Sequence, residues 1–310
     1  DYSAEKADSL VDEYAAAYDE ATTDNADRAA AEKQFDEVQP TVITIMNETF
    51  SDLSIYQNMH ADYEGPQFFK SLDDALFRGD LYVSAYGGGT CNTEWEYLTG
   101  SSMSFLGSGL YPYMVYNQNP VPSLAEQFGE LGYTTTAMHP NHASNWNRTN
   151  VYEQLGFDQF LSIDDFEGAD TLRGMVTDGA TYDKILELLE ENDDPQFIFD
   201  VTMQNHSGYN TGLVPAAELE HYSIDGVEDP EVNEYLSLIQ QSDEDLEKFI
   251  AELRELDRPV IVVFFGDHQP SFPSTYNDMW FTDEDEGTHT ERLWHTQYFV
   301  WANYDVAGNA

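Results

Sequence analysis

Three observations predict an α/β fold with a mostly parallel central sheet and helices on both faces. Short β-branched or apolar runs recur along the chain, amphipathic stretches alternate with them, and several runs end in Gly, Asn, Asp or His rather than in a hairpin turn. Residues 1–37 are rich in Ala, Asp and Glu, with Leu10, Tyr14, Ala17 and Tyr18 at helical spacing, which predicts an acidic surface helix or spacer. Pro40 marks a break, and residues 38–310 read as one α/β domain with no internal repeat and no dividing linker. Its first strand is 41–46, a β-branched run whose end delivers Asn47 and Glu48. A second strand over 81–86 leads into Gly87-Gly88-Gly89-Thr90 and a helix from about Asn92. A helix over 123–131 and a strand over 134–138 precede a loop opened by His139. A helix over 182–191 precedes a strand over 197–203 that leads to Asn205 and His206. The long amphipathic helix 231–256, the apolar strand 259–265 with Gly266-Asp267-His268 at its end, and a last strand over 298–303 complete the series.

Composition removes several functions. Twelve Lys and Arg stand against 59 Asp and Glu, a formal charge of -47 that repels nucleic acid and anionic membrane surfaces. The single cysteine, Cys91, excludes an intramolecular disulfide and a cysteine-rich zinc site. No run of about 18 apolar residues is present to cross a membrane, so the chain reads as soluble.

The chemistry is predicted to lie where the strands end, because open α/β sheets gather their ligands along that rim. Glu48, Thr90, His206 and the Asp267-His268 pair each follow such a run, and together they offer oxygen ligands and an imidazole to a divalent metal. The three glycines before Thr90 lack the Lys and spacing of a P-loop and admit two readings, a tight turn or an anion cradle. As a cradle, they would place the Thr90 hydroxyl at a helix N-terminus, where a metal and the helix dipole favour its ionised, nucleophilic form. In the polar loop 138–148, Arg148 is expected to clamp a phosphate, His139 to donate to another of its oxygens, and Trp146 to form an apolar wall. His206 is the candidate for protonating a leaving group or binding the phosphoryl oxygens.

Met46-Asn47-Glu48, Gly89 to Glu94, Trp146-Asn147-Arg148, Asn205-His206 and Gly266-Asp267-His268 occur in that order over about residues 40–305. In this the chain resembles the extracellular catalytic domain of the lipoteichoic acid synthase family, phosphoglycerol transferases with the alkaline phosphatase/sulfatase fold. The resemblance implies a manganese ion, with magnesium or zinc as alternatives, held by Glu48, Thr90, Asp267 and His268. It implies a covalent glycerophosphoryl intermediate on Thr90, with Arg148 and His206 in catalysis and His139, Asn141, Trp146, Arg148 and His206 contacting substrate. A phospholipid headgroup donor, a glycerol-phosphate or glycan acceptor, and a membrane anchor lying outside this chain follow from it too. Two positions depart from the family pattern. Gly89 stands where its well-studied members carry Lys, and Asn141 where they carry Asp, which opens the identity of acceptor and donor headgroup. A phosphoethanolamine transferase, a phosphodiesterase and a catalytically silent binding module are the competing readings. Cys91 lacks the following Pro and Arg that direct formylglycine formation in ordinary sulfatases.

Overall fold

A computed structural model of the chain describes residues 3–55, 63–107, 109–115, 121–223, 226–272 and 285–308. Two compact units divide it, one of residues 1–40 with 304–310 and one of residues 41–303. In the first, the expected single helix is two, α1 (Ala4–Thr22) and α2 (Ala26–Val38). Asn25 separates them because its side chain caps α2, accepting from Arg28 N at 3.0 Å. Gln34 ties α2 to the C-terminal segment, donating to Asp305 O at 2.8 Å and accepting from Ala307 N at 2.7 Å.

The second unit carries strands β1 (Thr41–Asn47), β2 (Phe77–Tyr82), β3 (Thr134–Met138), β4 (Gln159–Leu161), β5 (Thr171–Leu172), β6 (Met175–Val176), β7 (Gln196–Val201), β8 (Val260–Gly266) and β9 (His295–Ala302). Seven of them form one sheet in the order β2-β9-β8-β1-β7-β3-β4, and β5 pairs with β6 in a small hairpin. The pairs among β8, β1, β7, β3 and β4 are parallel, and β9 runs antiparallel to both β8 and β2. Among the described residues its α-helices are α3 (Gln67–Ser71), α4 (Thr90–Thr99), α5 (Pro112–Val115), α6 (Leu124–Glu130), α7 (Arg148–Gln154), α8 (Asp178–Glu191), α9 (Pro230–Arg254) and α10 (Glu286–Arg292). Strands β1 and β7 are buried along their whole length, as expected of central parallel strands covered on both faces. The main core packs their Ile43, Ile45 and Ile198 with Leu236, Ile239 and Phe249 of α9.

Three boundaries differ from the sequence expectation. The second strand lies at Phe77–Tyr82 rather than 81–86, because it pairs only with β9 and its last partner, opposite Tyr82, is His295, the first residue of β9. Beyond it Val83 and Ala85 are buried by packing and not by a ladder. Helix α8 starts at Asp178, four residues before Tyr182, because Thr177 caps it by accepting from Ala180 N at 3.2 Å. Strand β9 starts at His295 rather than 298, extended by its pairing with β2.

Candidate active site

The sheet order converts distant sequence positions into neighbours. β8, β1, β7 and β3 lie side by side and parallel, so their C-terminal ends deliver Asp267-His268, Glu48, the segment to His206, and His139 along one edge. Asn47 is in register with Gly266, which sets Glu48 beside Asp267 although 219 positions (267 minus 48) separate them. Gly266 is required there, since a Cβ on it would lie 1.8 Å from the Phe50 carbonyl oxygen. Thr90 arrives from a different direction, as the first residue of α4, with Gly89 as N-cap at φ 92°. That left-handed conformation suits glycine and lets the helix begin at the nucleophile candidate itself.

Glu48, Asp267 and His268 are all buried, and their ligand atoms lie within 4.8 Å of one another. Asp267 Oδ1 is fixed by the backbone N–H groups of Thr49 at 2.7 Å and His268 at 2.9 Å. Its Oδ2 accepts no hydrogen bond. The His268 ring donates from Nδ1 to Gln269 O at 3.0 Å, which leaves a bare Nε2 that is also unbonded, 3.2 Å from Asp267 Oδ2 and 3.7 Å from Glu48 Oε1. Two carboxylates and an imidazole with orphaned buried atoms facing one another fit a divalent cation. The Thr90 hydroxyl donates to Glu48 Oε2 at 3.3 Å. Burial and the Glu48 charge push Asp267 up to about 7. Burial opposes the charged form of His268, but Asp267 and Glu48 outweigh it and raise its pKa.

These shifts predict how metal and pH interact. Without metal, the raised Asp267 costs stability as pH climbs from its unfolded value near 4 toward 7, and bound protons must leave when metal enters. Manganese should therefore raise the melting temperature more at pH 8 than at pH 5.5. An equal rise at both pH values, or none at either, would remove the trio as the metal site.

Glu48, Thr90, His139, Asn141, Asn145, Trp146, Arg148, Met203 and His206 line a cavity of about 230 Å³. Trp146 and Asn147 adopt left-handed backbone, φ 54° and 60°, a strain of roughly 1–3 kcal/mol each that surrounding contacts must hold. The Trp146 ring packs on Tyr111 with centroids 4.6 Å apart.

Two of the sequence expectations change. His139 Nδ1 donates to Val201 O at 2.9 Å, and burial and the Arg148 charge hold the ring well below the usual imidazole range. The neutral ring then offers Nε2 as an acceptor, suited to a hydroxyl and not to a phosphoryl oxygen. Arg148, expected to be a free clamp, is buried and ion-paired with Glu94, whose carboxylate also accepts from Tyr113 Oη at 2.9 Å and Tyr152 Oη at 2.6 Å. Its pKa stays raised, because Glu94 and Tyr152 overcome the burial that opposes its charge.

The sulfatase family model matches residues 40–308. The chain belongs to the sulfatase family. Among relatives of this sulfatase-family domain is a putative cyclic beta-1,2-glucan modification protein of Rhizobium meliloti, 32% identical over 77% of this chain and 37% of that protein. Lipoteichoic acid synthase 1 of Bacillus subtilis is 27% identical over 48% of this chain and 23% of its own length. The chain thus spans less than two thirds of these curated relatives. The phosphoglycerol transferase GacH of Streptococcus pyogenes, solved with sn-glycerol-1-phosphate, superposes with a TM-score of 0.72 at 25% identity, covering 89% of this chain and 72% of that one. Among the described residues no helix is long and apolar enough to cross a membrane. Cys91 is fully buried, and that burial pushes its thiol far up.

Two residues that hold side chains of the site in place were given no role by the sequence reading, although Glu94 closes its Gly89 to Glu94 motif. Glu94 lies four residues after Thr90 on the same helix, a spacing that puts both on one face. Arg173, at φ 55° in the β5–β6 turn, gave no sequence signal. It donates to Gln204 O at 2.9 Å, His206 O at 2.8 Å and Gly208 O at 2.9 Å, and pairs with Glu234 at 3.2 Å, so it holds the loop that carries His206. Asn205, just before it, is tied through Asn47 Oδ1 at 2.9 Å and Ser242 Oγ at 2.8 Å to the buried Asp178. Arg173→Ala should lower turnover by about tenfold with a poor alkyl leaving group and much less with nitrophenol, which leaves without a proton. Equal losses on both substrates would make Arg173 purely structural.

Proposed function

We propose that this domain is a metal-dependent phosphoglycerol transferase that moves glycerol phosphate from phosphatidylglycerol to a polymer or glycan acceptor. The observation that carries the reading is one cavity lined by a threonine hydroxyl at a helix N-terminus, an arginine, a histidine and Glu48, which belongs with Asp267 and His268 to a buried trio fit to hold a metal. Its similarity to GacH and to a lipoteichoic acid synthase supports the substrate class. Manganese held by Glu48, Asp267, His268 and the Thr90 oxygen would supply positive charge that favours the threonine alkoxide.

The protein's own groups do the rest. In the first displacement the Thr90 oxygen bonds to phosphorus, its proton passes to solvent water, and the bond to diacylglycerol breaks. His206 donates a proton to the departing oxygen, its ring anchored by Nδ1 to Ser207 O at 2.7 Å. Arg148 presents charge to the phosphoryl oxygens while Glu94 fixes its plane. In the second displacement an acceptor hydroxyl attacks the threonine ester, its proton passes to His206, which gave one up in the first step, and the Thr90 oxygen departs. His139 Nε2 and Asn141 are suited to the glycerol hydroxyls, and the Trp146–Tyr111 pair walls the headgroup. The domain acts outside the cell, joined to the membrane by a segment outside this chain.

The test is mass spectrometry of the protein after incubation with phosphatidylglycerol and manganese. A glycerophosphoryl group on the peptide containing Thr90 is the expected result. Its absence, or its appearance on another residue, would refute the reading.

A further inference from the structure

No Asp, Glu, Lys, Arg or His stands between Glu96 and Glu126, the longest uncharged stretch in a chain whose formal charge is -47. Most soluble surface loops carry charge, and this one instead exposes apolar side chains. Phe105 is 87% exposed, Met114 55%, Val115 49% and Leu110 42%. Within its described residues, Leu106 N donates to Met103 O at 2.9 Å, Leu110 N to Gly107 O at 3.2 Å and Met114 N to Tyr111 O at 2.9 Å.

The same segment is joined to the active site. Tyr113 is fully buried with its hydroxyl on Glu94, the partner of Arg148, while its neighbours Met114 and Val115 face outward. Asn147 Nδ2 donates to Tyr113 O at 3.4 Å, and Tyr111 packs on the cavity residue Trp146. One short helix thus has its inner side on the catalytic machinery and its outer side apolar and uncharged.

We propose that the loop Met103–Val115 docks the domain onto a lipid surface, its Phe105, Leu110, Met114 and Val115 entering the headgroup boundary beside the cavity. The inference rests on the reading of a phospholipid donor, because a headgroup can enter the cavity only if the cavity rim lies at headgroup level. Elsewhere the acidic surface is repelled by anionic lipid, so an uncharged segment is the part of the molecule that approaches at least cost. Apolar and aromatic side chains supply the attraction at such a boundary. An exposed apolar cluster of this kind on a soluble domain marks an interaction site.

The experiment is flotation with phosphatidylcholine vesicles containing phosphatidylglycerol, comparing the parent with Phe105→Asp/Met114→Asp, whose melting temperature is checked first. The parent should float, and more so as salt rises, because screening weakens the repulsion between its charge and the lipid. The variant should float at least about fivefold less, and lose about tenfold or more in turnover of vesicle-borne phosphatidylglycerol while matching the parent on a soluble glycerophosphodiester. Equal flotation of parent and variant, or a parent that does not float, overturns the inference. So does binding that falls with salt, the mark of a basic patch. A parent that self-associates, with a variant that is monomeric and neither floating, would assign the loop to a second copy and overturn it as well. If the parent floats and the variant does not, yet neither substrate is turned over, the docking stands and the transferase reading fails.

Discussion

Thr90→Ala is expected to abolish transfer and hydrolysis together and to leave the domain folded. In a double displacement both outcomes pass through the threonine ester, and water and acceptor merely compete for the second step. Removing a nucleophile from a preorganised site costs on the order of 10⁴-fold or more in turnover. The fold should tolerate the change, because the Thr90 hydroxyl makes one long bond of 3.3 Å to Glu48 and alanine suits the first turn of a helix. The cost in stability is expected to stay below about 1 kcal/mol. The assay is release of diacylglycerol from labelled phosphatidylglycerol, or of a chromophore from a soluble phosphodiester, across a manganese titration. Residual hydrolysis within about tenfold of the parent would sink the covalent route and favour a directly activated water, as in a phosphodiesterase.

Arg148→Ala, in contrast, should damage the fold as well as the activity. The sequence suggests a clamp on phosphate, and the structure places that arginine in a buried pair with Glu94. Glu94 is 0% exposed, and deleting its arginine strands a carboxylate among Tyr113, Tyr152 and the core. Breaking a buried pair in this way costs about 3–5 kcal/mol, far more than an exposed pair is worth. Arg148→Ala/Glu94→Leu, which removes both charges, should recover much of that stability and none of the activity. Urea unfolding midpoints of the single and double variants decide the matter. A single variant as stable as the parent would mean that Glu94 is not held by Arg148, and an active double variant would remove Arg148 from the chemistry.

The central strands and their polar ends were legible because apolar, β-branched runs bounded by Gly, Asn and Asp are strong local signals. Strands β1 and β3 lie within one residue of the sequence expectation for this reason. Edge strand β2 and the early turns of α8 were misplaced because a partner strand and a capping threonine fixed them, and neither is visible in the local pattern.

By itself the sequence determined that the chain is an α/β protein and that Glu48, Thr90, His139, His206 and Asp267-His268 follow strands or glycines. Tertiary structure alone decided which of these meet. The parallel register of β1 with β8 joins Glu48 to Asp267, and burial without competing hydrogen bonds leaves Asp267 Oδ2 and His268 Nε2 facing one another. It also decided the state of each polar group. Burial and the Arg148 charge keep His139 neutral while the Val201 carbonyl fixes its Nδ1 as the donor, Glu94 holds Arg148 in a buried ion pair, and Arg173 reaches the His206 loop from a hairpin with no motif. The reason is physical: residue type sets what a side chain can do, but desolvation and neighbouring charge, which only the folded chain supplies, set which of those things it does.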